Sequence, residues 1–168
     1  VYTSGQAALD QLKIMNFKSF FHVGPPRDFD LFKIFENQKT EKIDGCDFLL
    51  CTGLFDDHQT DIKFYEKLLK AHVKKKMICT NPDLVVDRGE IREFCAGSVA
   101  KIFAKLGGEV KYFCKPSPAV YENAFNHLRG TTVICLGHNL HTDITCPNIQ
   151  HFDSLFIDPH PTRLNSSH

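Results

Sequence analysis

Apolar residues recur along this chain in two rhythms. Short apolar runs at 20–23, 48–51, 77–79, 110–113, 133–136 and 155–157 have the length of strands. Between several of them, apolar residues return every three or four positions, as on the buried face of a helix. Ile62, Tyr65, Leu69 and Val73, with Leu68 beside them, predict one such helix. Val99, Ile102, Phe103 and Leu106 predict another, which Gly107-Gly108 would end. A third is expected to start with Ser117 as cap and Pro118 in the first turn, and to bury Tyr121, Ala124, Phe125 and Leu128. A further helix is expected through 6–12. Strand and helix in regular turn predict an α/β fold, a parallel sheet covered by helices.

Two of the strand-sized runs end on polar groups. Tyr112-Phe113-Cys114-Lys115-Pro116 holds a lysine before a proline, and 133–136 leads into Gly137-His138-Asn139-Leu140-His141-Thr142-Asp143. In open α/β sheets, ligands bind at the loops after the strand C-termini. A lysine on one such loop and an oxygen-rich turn on another could grip a phosphate and its magnesium.

Composition narrows the picture little. With 168 residues the chain can bury a core as one domain or two small ones, and its formal net charge of +0 gives no general field for nucleic acid or an anionic membrane. The run Lys74-Lys75-Lys76 reads as the solvated end of a helix, where cations offset the macrodipole. No apolar stretch is long enough to cross a bilayer and none has the form of a signal peptide. The 7 cysteines form no C-x-x-C pair, and Cys51, Cys79 and Cys135 sit in strand runs, where cysteine acts as a small buried hydrophobe. That usage suits a reducing cytoplasm. A zinc or redox site could be drawn from Cys135, His138, His141, Cys146 and His151, but their spacing matches no zinc framework.

Thr80-Asn81-Pro82-Asp83, Asp87-Arg88-Gly89, Ala96-Gly97-Ser98, Lys115-Pro116 and Gly137-x-Asn139-Leu140-His141-Thr142-Asp143-Ile144 follow one another in a set order. In that order and spacing the chain resembles the haloacid dehalogenase (HAD) superfamily of hydrolases. Within it, the likeness is to the class IIA branch of para-nitrophenyl-phosphatase-like and sugar- or nucleotide-phosphatase-like enzymes. It runs over about residues 1–157. The resemblance implies a Rossmann-like core with an inserted α/β cap. Here 1–108 would be cap, 109–158 the C-terminal part of the core, and 159–168 a disordered tail. The tail residues 162–168 coincide with one translated frame of a common sequencing adapter, so we expect them to be artefactual.

The family's chemistry is hydrolysis of a small phosphate monoester with Mg²⁺ as cofactor. An aspartate attacks phosphorus and the aspartyl-phosphate is then hydrolysed, which divides one hard displacement into two easier ones. Carried over by position, Lys115 is the phosphate lysine, Asp143 an acidic member of the magnesium loop, and Asn139 shapes that loop or bonds phosphate. Asn81 and Asp83 would lie on a cap loop facing the substrate. Gly97 would allow close packing at the start of the helix returning to the core. The resemblance implies a small phosphorylated metabolite as partner, with no nucleic acid and no membrane, in the cytoplasm; a homodimer through the cap is left open.

The chain also departs from the pattern. The nucleophile motif Asp-x-Asp belongs before the cap, where residue 1 already aligns with the cap's start. Asp28-Phe29-Asp30 has the letters but is expected to lack a preceding strand and falls inside the cap. We therefore expect an N-terminally truncated chain, inactive alone. His138 stands where the family carries a magnesium-binding aspartate, and magnesium prefers anionic oxygen. Cys114 replaces a glycine, and Cys146-Pro147 interrupts an expected helix. A non-catalytic phosphate-binding remnant is the competing expectation.

Overall fold

The computed structural model describes residues 3–89, 91–113, Tyr121, 124–125, 132–137, 144–145, Asn148 and 151–157. It divides into two compact units, Val1–Cys114 and Lys115–His168.

The first unit is built on a parallel sheet of β2 (Lys39–Thr40), β1 (Phe20–Val23), β3 (Phe48–Cys51), β4 (Lys76–Cys79) and β7 (Glu109–Tyr112), in that spatial order. Each central strand is apolar at nearly every position because both sheet faces are covered. On one face, Val23, Leu49, Cys51, Met77 and Cys79 pack with Tyr65 and Leu69 of helix α2 (Ile62–Leu69) and with Val99, Ala100 and Phe103 of α3 (Ala96–Lys105). On the other, Phe20 and Phe48 stack at 5.5 Å and meet Phe17 and Phe29. Phe29 and Phe32 are the buried side chains of a long 3₁₀ segment, Pro26–Gln38, which packs with helix α1 (Ser4–Ile14).

Local chemistry sets the helix limits. Thr3 and Asp61 accept the backbone N–H of Gln6 and Phe64 at 3.1 Å each, capping α1 and α2. Beyond α3, Gly107 takes φ +96°, where a glycine is strongly favoured. Between β4 and α3 runs an antiparallel hairpin, β5 (Val85–Arg88) with β6 (Ile91–Phe94), turning through Gly89 at φ +65°.

The strand at 109–112, expected to open the core, instead pairs with β4, Lys76 opposite Glu109 through Cys79 opposite Tyr112. Its Val110 packs against the first unit's core, so that unit runs past the expected limit at 108. In the second unit, β8 (Ile134–Gly137) and β9 (Asp153–Phe156) form a parallel pair. Tyr121 and 124–125 are helical where the third helix was expected. Among the described residues, no helix is long and apolar enough to cross a membrane.

Candidate functional site

The C-terminal ends of β1, β3 and β4 lie side by side, and each strand's last carbonyl holds the loop of its neighbour. Val23 O accepts from Thr52 N at 2.9 Å, Cys51 O from Thr80 N at 3.0 Å, and Cys79 O from Phe113 N at 3.4 Å. The loops after β1 and β3 abut so closely that a Cβ on Gly24 would stand 2.1 Å from Thr52 Oγ1.

Above these ends opens a cleft of about 180 Å³, lined with polar groups from Arg27, Asp28, Thr52, Gln59, Asn81 and Glu93. Pro25, Leu54 and Phe94 give it apolar wall, and Ala96 at the start of α3 closes one side. The Arg27 guanidinium donates to Asp56 Oδ1 at 2.5 Å. That bond, with the Asp56, Asp28 and Glu93 carboxylates nearby, holds Arg27 above its usual pKa.

The loop carrying Asn81 is fixed from beneath. Thr80 is buried, and its hydroxyl reaches Cys51 O at 3.4 Å. Asn81 Oδ1 accepts from Asp83 N at 3.0 Å, a turn of side chain onto backbone. Asp83 O accepts from Gly97 N at 3.1 Å, while Leu84 O takes the Ser98 hydroxyl at 2.5 Å and Cys95 N at 2.9 Å. No side-chain hydrogen bond caps α3; in its first turn Asp83 O takes the N–H of Gly97 and Cys95 O that of Ser98. A Cβ on Gly97 would lie 2.1 Å from Pro82 O and 2.5 Å from Asp83 O, so helix and loop meet only because this residue is glycine.

Thiols and an imidazole underlie the same strand ends. Cys51 and Cys79 are register partners on β3 and β4, both fully buried. The hydrogen bond to Cys79, together with burial, pushes the Cys51 thiol well above its usual range. Both are free thiols serving as core residues. His22 is buried on β1 with Nε2 2.8 Å from Thr52 Oγ1, and burial, with Lys39 nearby, lowers its pKa from 6.5 to about 4. It is held as a neutral ring that orients the β3 loop.

Of the residues singled out from sequence, Asn81 lines the cleft and is half-buried, while Asp83 is exposed and serves the loop through its backbone. Lys115, His138, Asn139 and Asp143 lie outside the described residues. Among the described residues, no three His, Cys, Asp or Glu side chains converge as a metal shell. Of the zinc candidates, Cys135 and His151 are described; His138, His141 and Cys146 are not.

One expectation needs correcting. Asp28-Phe29-Asp30 does follow a strand: β1 ends at Val23, and a short link leads into the 3₁₀ segment. Phe29 turns into the core, Asp28 reaches the cleft, and Asp30 is exposed and does not line it. The two carboxylates are therefore not brought together on one site. Sequence reading also missed Arg27, Thr52, Gln59 and Glu93. Their common signal is position directly after a strand or in a flanking segment, which becomes informative only once the strand order is known.

No protein-family profile matches the chain, and no curated protein matches it in sequence. Solved structures do. A haloacid dehalogenase-like hydrolase from Brucella suis 1330 aligns over 96% of this chain and 65% of its own, at 29% identity and TM-score 0.82. An NPPase from Geobacillus stearothermophilus aligns over 99% and 68%, at 20% identity and TM-score 0.72. A glycerol phosphate phosphatase from Mycobacterium tuberculosis, solved with calcium, aligns over 93% and 47%, at 20% identity and TM-score 0.70. The chain thus spans 65% and 47% of the lengths of the Brucella and Mycobacterium proteins.

Proposed function

We propose, for a chain that belongs by fold to the haloacid dehalogenase-like hydrolases of class IIA, that it is the cap and the C-terminal part of the core of a magnesium-dependent phosphatase for small phosphate monoesters. The observation that carries this reading is the cleft at the ends of β1, β3 and β4, with the Asn81 loop clamped over it by Gly97. In the proposal, the cleft receives the leaving group of the ester and Asn81 hydrogen-bonds it. Lys115 neutralises the phosphate, and Asn139 shapes the loop that presents Asp143. The attacking carboxylate belongs to a segment outside these 168 residues.

The donor chemistry of the expected metal loop is mixed. Asp143 offers the hard, anionic oxygen that magnesium takes, whereas His138 offers one softer nitrogen. When bound, magnesium would supply charge stabilisation at the phosphoryl oxygens. His138 favours a second reading, in which phosphate is bound without turnover.

The test uses para-nitrophenyl phosphate. The 168-residue chain should show no magnesium-dependent hydrolysis. A protein extended by a segment ending in a strand and Asp-x-Asp, and carrying His138→Asp, should turn over; Lys115→Ala should then lower kcat by about 100-fold or more. Nucleophile and metal act as a unit, so His138→Asp alone should recover little. Turnover by the unextended chain would overturn the placement of the nucleophile. An extended, folded protein that binds phosphate but stays inert would favour the binding reading.

A further inference from the structure

Two thiols lie directly beneath the cleft. We propose that Cys51 and Cys79 form a reversible disulfide across β3 and β4 when the protein meets a hydroperoxide, and that the link takes hydrogen-bond donors away from the cleft loops above it. The inference is independent of the phosphatase reading and holds whatever the cleft binds.

Three observations support it. First, the backbone sets the spacing. Cys51 and Cys79 are register partners on adjacent parallel strands, and both side chains lie on the face packed against α2 and α3. Neighbouring strands stand ~4.8 Å apart, inside the window of about 4.4–6.8 Å between Cα atoms that a disulfide needs. Among the other described cysteines, Cys46 and Cys95 lie outside strands, and Cys135 has Ser154 as its register partner.

Second, both thiols serve the cleft loops. Cys79 Sγ donates to Asn81 O at 3.1 Å, and Cys51 Sγ reaches Gly53 O and Ala96 O at 3.8 Å each. Gly53, Asn81 and Ala96 all line the cleft. A thiol is a weak donor and a disulfide is none, so joining the sulfurs withdraws these donors from all three carbonyls.

Third, the two sulfurs differ as the chemistry requires. The Cys51 thiol also donates to Cys79, which brings the Cys79 thiol below its usual pKa, while that bond and burial raise Cys51. The thiolate is the nucleophile, so Cys79 attacks first and Cys51 resolves.

The steps balance with hydrogen peroxide as oxidant. The Cys79 sulfur attacks one peroxide oxygen and the O–O bond breaks. Hydroxide leaves, takes up the proton that Cys79 gave up, and Cys79 becomes a sulfenic acid. The Cys51 sulfur then attacks the Cys79 sulfur, the S–O bond breaks, and the hydroxyl leaves as water with the Cys51 proton. The thiol pair loses two electrons, and the peroxide is reduced to two waters.

Burial sets the rate. Both sulfurs are shielded from solvent, and Cys79 ends β4 directly before the 80–84 loop. Peroxide therefore enters when that loop lifts, a local opening short of global unfolding.

The test treats the 168-residue chain with hydrogen peroxide in native buffer, blocks the remaining thiols with iodoacetamide and maps the peptides by mass spectrometry. The Cys51 and Cys79 peptides should appear joined, lighter by about 2 Da for the two hydrogens lost, and dithiothreitol should separate them. In the isotope-labelled chain, the carbonyl resonances of Gly53, Asn81 and Ala96 should move on oxidation and return on reduction. Cys51→Ser should deprive Cys79 of its resolving thiol and carry it on to sulfinic acid. If that variant fails to fold, the peptide map and carbonyl shifts of the unmodified chain decide the matter. Cys46→Ser should leave the joining intact. Three results would each overturn the proposal: a joined peptide that forms only once urea unfolds the chain, Cys51 or Cys79 joined to some other cysteine instead, or joining that leaves all three carbonyl resonances unmoved.

Discussion

Gly97→Ala should loosen the first unit at the point where its candidate site is assembled. A Cβ there would stand 2.1 Å from Pro82 O. An unstrained C···O contact needs about 3.3 Å, so α3 and the 81–84 loop must part by roughly 1.2 Å (3.3 minus 2.1). The obstacle is a backbone carbonyl and cannot swing aside like a long side chain. Overpacking costs about 1–3 kcal/mol, and the rigid neighbour places this site at the upper end. Alanine's better helix propensity returns at most about 1 kcal/mol. The net loss should be about 2 kcal/mol, lowering Tm by roughly 8 °C or more for a unit of this size. Separation would also strain the bonds from Gly97 N to Asp83 O and from Ser98 Oγ to Leu84 O. Urea unfolding of Gly97→Ala beside Gly45→Ala makes the comparison, because a Cβ on Gly45 meets nothing within 4 Å and should change stability by less than about 0.5 kcal/mol. If the two variants unfold at the same denaturant concentration, the steric reasoning is wrong.

Two further outcomes follow from buried polar groups. Tyr65 is fully buried and its hydroxyl accepts from Phe55 N at 2.7 Å, so Tyr65→Phe should leave that N–H unpaired and cost about 1–3 kcal/mol in urea unfolding; a neutral result would mean that the loop finds another partner. His22 has a folded pKa of about 4 against 6.5 unfolded, so its neutral form contributes stability that is complete above pH 6.5 and lost as pH falls toward 4. Across that window the loss should total about 3 kcal/mol, on the order of 1.4 kcal/mol per pH unit. Unfolding at pH 7 and pH 5 should show the slope, and His22→Gln should flatten it by about one proton; an unchanged slope would place the titrating group elsewhere.

How much could be read along the chain depended on how local the signal was. The strands at 20–23 and 48–51 were found at their observed limits because runs such as Phe48-Leu49-Leu50-Cys51 are apolar on both faces, as a central parallel strand must be. Helix α3 was legible from Val99, Ile102, Phe103 and Leu106, and its end from Gly107. The 3₁₀ segment Pro26–Gln38 was not, since its buried Phe29 and Phe32 repeat with period three over too short a span to stand out. The hairpin of β5 and β6 also escaped. Its apolar residues Val85, Val86, Ile91 and Phe94 remain substantially exposed, so no buried face imposes an alternation.

The sequence by itself determined the α/β class and the motif order that marks the haloacid dehalogenase-like fold, because periodicity and short motifs are properties of neighbours in the chain. It also marked Asn81 and Gly97, each as a position carried over from the motifs of that family resemblance. Only the tertiary structure decided that the strand at 109–112 belongs to the first unit, since pairing with β4 is a choice among edges that no local pattern encodes. It alone assembled Arg27, Thr52, Asn81 and Glu93, which come from four separate segments, into one cleft. Parallel strands bring their C-terminal loops to one side of the sheet whatever their distance in sequence, and that convergence is what builds the cleft.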